Sequence, residues 1–71
     1  MADNTARART ELESQRRTIR DHQRKWREYK EPYEKQFALK TIRNAQSHIA
    51  KIKSAHPGLA RDNAAEDTWR P

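Results

Sequence analysis

Ala38-Leu39-Lys40-Thr41-Ile42-Arg43-Asn44-Ala45-Gln46-Ser47-His48-Ile49-Ala50-Lys51-Ile52 is the stretch that decides the fold. Within it Ala38, Ile42, Ala45, Ile49 and Ile52 recur at spacings of four, three, four and three, the seam of an α-helix packed along one neighbour. The alanines let that neighbour approach closely. Phe37 and Leu39 flank the seam near its start, and Lys40, Arg43 and Lys51 decorate the far side. Upstream, Pro32 suits a first helical turn. Downstream, Pro57-Gly58 stops the helix. The spacing therefore predicts a helix over about 33–55.

Its neighbour lies upstream. Leu12, Ile19, Trp26 and Tyr33 repeat every seven residues, with Ala8 and Tyr29 beside them. These are the a-type positions of a heptad, whereas d-type positions such as Gln15 and His22 are polar, so the seam registers one neighbour but weakly. The segment is rich in Ala, Arg, Glu and Gln, all good helix formers. A helix over about 5–30 is expected. Thr10-Glu11-Leu12-Glu13 has the form of a capping box at or near its start. Glu31, which precedes Pro32, is biased out of the α region and ends it. The two seams face each other about a tight turn at 31–34. In one register Trp26 meets Ala38, Ile19 meets Ala45 and Leu12 meets Ile52, large against small.

No Val occurs and no stretch alternates as a strand should. The fold class is therefore all-α: an antiparallel two-helix hairpin over 1–56, with 57–71 as a tail or short C-terminal helix capped by Asp62 or Asn63. The competing arrangement is one long helix kinked at Pro32. Hydrophobic residues make up only 32% of the 71-residue chain, and much of that is alanine. Chains this short with a thin core usually need a staple, and without cysteine it is not a disulfide. Self-association into a small helical bundle is the expected support, with Leu12, Ile19, Trp26, Ile42, Ile49 and Ile52 as the hairpin or oligomer seam.

Charge carries the functional expectation. The net charge is +6 and the pI about 10.2, which favours nucleic acid or an acidic protein as partner. Arg9, Arg16, Arg20, Arg24 and Arg27 fall within about 80° of one another on a helix and span about 27 Å of its length, with only Glu13 among them. Arg17 and Lys25 widen the positive surface. Guanidinium groups bind phosphate bidentately, and counterion release adds affinity. The candidate binding residues are Arg9, Arg16, Arg17, Arg20, Arg24 and Arg27. The strip lies roughly 120° from the apolar seam, so the two look to different neighbours. The plainer alternative is a solvated face with Glu13–Arg17 and Asp21–Lys25 pairs.

Two sets of aromatics need placing. Trp26, Tyr29, Tyr33 and Phe37 gather around the turn among Arg27, Lys30 and Lys35. Packing as the hairpin's plug is the first reading, ahead of a protein contact or base stacking. Trp69 stands in a tail whose two arginines, Arg61 and Arg70, face three carboxylates, Asp62, Glu66 and Asp67. It folds back, is exposed, or anchors a partner; it is the candidate partner anchor.

Other chemistry has little basis. Of the three histidines, His22, His48 and His56, the two on one helix stand at i and i+8 and lack the i,i+4 spacing of a helical zinc pair, so no metal or cofactor is expected. Ser14, Ser47 and Ser54 have no nucleophile turn, one glycine cannot make a phosphate loop, and a hairpin has no volume for a substrate pocket. No apolar run reaches the roughly 18 residues of a membrane span, and the N-terminus has no secretory signal, so a cytoplasmic site, in a cell or an infected host, is expected. The sequence thus predicts a non-enzymatic basic helical protein that binds nucleic acid phosphates, RNA or DNA. The alternative is a small regulator of phage or mobile-element type, by fold analogy alone, that docks on an acidic protein surface. A third is a component ordered only within a larger particle.

Overall fold

Helix α1 (Asn4–Glu28) and helix α2 (Pro32–Ala55) make up most of the computed structural model, which describes residues 4–71. They fold into an antiparallel hairpin, and no strand occurs among the described residues. Two 3₁₀ turns, Pro57–Leu59 and Ala65–Thr68, follow. The described chain measures 48 × 17 × 15 Å. No helix among the described residues is long and apolar enough to cross a membrane.

Pro32 sets the hairpin's corner. Glu31 is extended, at φ −84° and ψ 135°, as a residue before proline should be. Its carbonyl accepts from the Glu34 and Lys35 amides at 3.1 and 3.2 Å, which satisfies two N–H groups of the first turn. Helix α1 ends at Glu28, two residues earlier than expected. At the far end the His56 amide reaches the Ile52 carbonyl at 3.0 Å, and Pro57 then ends the helix. Gly58 contributes no left-handed cap, since no glycine has a positive φ; proline alone stops α2. The expected capping box at Thr10 is not formed. The helix begins at Asn4, and the Thr10 hydroxyl, now mid-helix, donates to the Ala6 carbonyl at 3.1 Å.

The seams meet. Leu12 and Ile19 of α1 form one buried cluster with Ile42, Ala45 and Ile49 of α2, and Ile52 and Trp69 pack against it. Ala8 and Ala38 are buried as well. Leu12, Ile19, Ile42 and Ile49 are at most 2% exposed within a single chain. Two hairpins therefore cannot pair through those residues while each stays closed, which corrects the oligomer reading of this seam. The plug at the turn also differs. Tyr33 and Phe37 are 61% and 66% exposed, and only Trp26 and Tyr29 are partly buried. Tyr33 and Phe37 fall on the side of α2 turned away from its alanine-isoleucine seam.

Trp69 replaces them. Beyond α2 the chain turns back and runs along the hairpin, burying Leu59. It brings Trp69 onto Trp26 in an edge-to-face pair, centroids 5.8 Å apart at 78°. Lys35 caps the other partner: its Nζ lies 4.4 Å from the Trp26 ring centroid and donates to the Trp26 carbonyl at 2.8 Å. The tail is thus a third leg of the fold. Trp69 is a support of the hairpin and not a free anchor for a partner.

With a core this small, one truncation is felt throughout. Ile42→Ala or Ile49→Ala is expected to cost about 2–5 kcal/mol, a large part of the 5–15 kcal/mol typical of a whole domain. Urea unfolding followed by helical circular dichroism should show the midpoint fall accordingly; an unchanged midpoint would contradict the packing described.

Candidate functional site

The arginine strip of α1 is where the tail returns, and it divides the strip in two. Arg16 is 4% exposed. Its Nε and Nη2 donate to the two Asp67 oxygens at 2.9 and 2.8 Å, a bidentate fork. Nη2 also donates to the Asp62 carbonyl at 2.6 Å, and Nη1 to the carboxylates of Glu13 at 3.1 Å and Asp62 at 3.3 Å. These bonds match the five N–H donors of a guanidinium, so nothing remains for a ligand. Arg16 is therefore corrected from a binding residue to a structural one. Asp62, expected as a helix cap, serves this cluster instead.

Asp67 is the hub. Besides Arg16 it accepts from Lys53 Nζ at 2.7 Å and from the Ala64 amide at 3.2 Å. Lys53 also donates to the Asn63 side chain at 3.0 Å, which takes Asn63 out of its expected capping role. Burial pushes the Asp67 carboxyl upward, but the hydrogen bonds from Arg16, Lys53 and the Ala64 amide outweigh it and hold the group at about 2 instead of 3.8. Arg16 is held further toward its charged form by its hydrogen bond to Asp67, against a smaller opposing effect of burial. Gln46 completes the dock: its Nε2 donates to the Glu66 and Trp69 carbonyls at 3.1 Å each, and its Oε1 accepts from Arg70 at 2.7 Å.

The other arginines stay outside. Arg20 is 51% exposed and meets Glu66 at 3.3 Å. Arg24 is 65% exposed and meets Asp21 at 2.9 Å. Asp21 also pairs with Lys25 at 3.4 Å, and that hydrogen bond, with its Coulomb attraction, holds the Asp21 carboxyl below its ordinary range. Arg9, Arg17 and Arg27 are exposed and make no ion pair with another described residue. The Glu13–Arg17 pair expected from spacing gives way to Glu13–Arg16, while Asp21–Lys25 forms. With Arg16 removed and Arg17 included, Arg17, Arg20, Arg24 and Arg27 form one row at spacings of three, four and three, about 15 Å long. Arg9 extends the same side beyond Glu13.

The tail's hold on Arg16 was missed in the sequence, although a signal was present. Asp62, Glu66 and Asp67 are the only run of acids downstream of Glu34, in a chain whose other end is arginine-rich. Nothing local relates residues 46 and 51 positions apart.

Two outcomes follow from this cluster. Arg16→Met leaves Asp67 buried with one cation fewer and is expected to cost about 3–5 kcal/mol, read in the same urea titration. The acid response has a definite sign. The folded value of Asp67 lies below its unfolded value, so its stabilisation is present above about pH 4 and is lost as the pH falls toward 2. The full effect is about 2 kcal/mol. Near-ultraviolet circular dichroism of the Trp26–Trp69 pair should fade across that window in the parent, and Asp67→Asn should remove the transition.

Comparison of the chain with protein-family models, with curated proteins and with solved structures gave no match.

Proposed function

We infer that this chain is a non-enzymatic binding protein whose ligand is nucleic acid, held by its phosphates along the exposed arginines of α1. The observation that supports the reading most is the row Arg17, Arg20, Arg24 and Arg27, four exposed guanidinium groups on neighbouring turns of one rigid helix. Two of them have carboxylate partners, but these are exposed pairs of the kind worth about 0–1 kcal/mol. A phosphate displaces such a partner at little cost and gains a charge-assisted fork in return. The formal charge of +6 supplies the long-range attraction. Contact would be mainly to the backbone and only weakly selective, because phosphate contacts position a protein without reading sequence.

Affinity for a labelled oligonucleotide should fall steeply with salt, the logarithm of the binding constant dropping by about 0.7–0.9 per phosphate contact per logarithm of salt. Arg17→Ala with Arg27→Ala should lower that slope by about 1.4–1.8 and leave the helical signal intact. Arg16→Met, adjusted for its loss of folding, should leave the slope unchanged. A flat salt dependence, or no binding at low salt, would dismiss the nucleic-acid reading and leave an acidic protein surface as the partner for the same row.

A further inference from the structure

Tyr33 and Phe37 are the exposed large hydrophobic residues of the described chain. They stand one turn apart on α2, about 6 Å along its axis. With Lys40, Arg43 and Asn44 they occupy an arc of about 120°, nearly opposite the buried seam of the same helix. Tyr33, Phe37, Lys40, Arg43 and Asn44 line a shallow open depression together with Leu39. Lys40 and Arg43 are exposed and make no ion pair with another described residue. One carboxylate is close: Glu34 accepts from the Tyr33 hydroxyl at 3.4 Å. It lies between the two rings in sequence, at the start of the patch, and the remainder of α2 carries no further acid.

We propose that this face of α2 is a stacking site for single-stranded nucleic acid. Two exposed rings one turn apart offer platforms to two successive bases, and stacking is tolerant of sequence because every base has a flat π-face. Lys40 and Arg43, one and two turns on, meet the phosphates that follow. An apolar partner would leave those two cations unpaired at its edge, whereas a polyanion bearing flat rings satisfies both halves of the patch. Duplex DNA offers phosphates but keeps its bases stacked inside. The site therefore selects single strands, which the arginine row of α1 cannot do alone. The proposal extends the nucleic-acid reading to a second surface and can fail without it.

The test uses the full chain, fluorescence anisotropy, and labelled oligothymidine and duplex DNA of the same length. The parent should prefer the single strand. Tyr33→Ala with Phe37→Ala should weaken single-strand binding by about fivefold or more per ring, with duplex affinity and helical signal unchanged. Tyr33→Phe with Phe37→Tyr should restore it. Lys40→Ala with Arg43→Ala should lower the salt slope for the single strand. Equal affinity of the alanine pair and the parent for oligothymidine would overturn the stacking site while leaving the α1 row standing. So would a parent that sediments as a dimer and an alanine pair that is monomeric with unaltered binding, since a second copy would then be the occupant. A parent that binds neither probe at low salt would overturn both readings.

Discussion

The fork between Arg16 and Asp67 is the constraint on which the rest of this small structure depends. Two helices of this length joined by a short corner share one line of apolar contact, and here much of that line is alanine. A buried ion pair adds little net stability over a well-packed apolar pair, so the fork is not what holds the chain folded. Leu59 and Trp69 do more, since burying a large apolar side chain is worth about 1.5–3 kcal/mol. What the fork supplies is register. Four hydrogen bonds of fixed direction, from a planar group to Asp62 and Asp67, admit one position of the tail, whereas an apolar contact tolerates sliding. With Arg16 seated, Trp69 is delivered to Trp26 and Gln46 to the tail's carbonyls. The tail then does for this cysteine-free chain what a disulfide does in other small domains.

How much of this the sequence reveals follows from the range of the interactions. The hairpin is written in periodicity: the four-three spacing through Ala38, Ile42, Ala45, Ile49 and Ile52 and the proline at 32 are local signals, and each became the expected element. Thr10 shows the weakness of a local motif read alone. Its capping box competes with helix formers upstream, Ala6 and Ala8 among them, and the longer helix wins. Arg16 was illegible for a different reason. On a helical wheel Arg16 lies at the border between seam and strip, and its side depends on whether something covers that border. The cover is a segment roughly fifty residues later, with no period to align. Tyr33 and Phe37 were misplaced because Trp69, for which folding back was only one of three readings, occupies the position they were expected to fill.

The same tail sets the electrostatics. Its three carboxylates lie against the arginine-rich helix, so the charge available to a partner is less than a count along the strip suggests, and it is unevenly distributed. Arg16 is neutralised inside the fold. Arg20 is shared with Glu66 at the surface. Arg17, Arg27 and, on the other helix, Lys40 and Arg43 carry no counter-charge from the described residues. The positive surface thus falls on two sides of the hairpin. One is a row of guanidinium groups alone. The other mixes cations with exposed rings. A uniform solvated surface would show no such division.

The contrast between Arg16 and Arg20 shows why ligand and tail need not compete for the whole strip. Both arginines meet a tail carboxylate at hydrogen-bond distance, and both are attached to the same rigid helix. Their difference is solvent. Arg20 is half exposed, its attraction to Glu66 is weakened by water and screened by salt, and a phosphate would exchange for the carboxylate with little change in desolvation. Arg16 is dry. Removing Asp67 from it would strand a charge in a low-dielectric site, a cost of several kcal/mol that no single phosphate contact repays. Under the proposed reading, a polyanion would take the outer partner and leave the inner one, and the fold would stay intact as it binds. Burial, more than position in the row, divides the guanidinium groups that hold the structure from those open to a ligand.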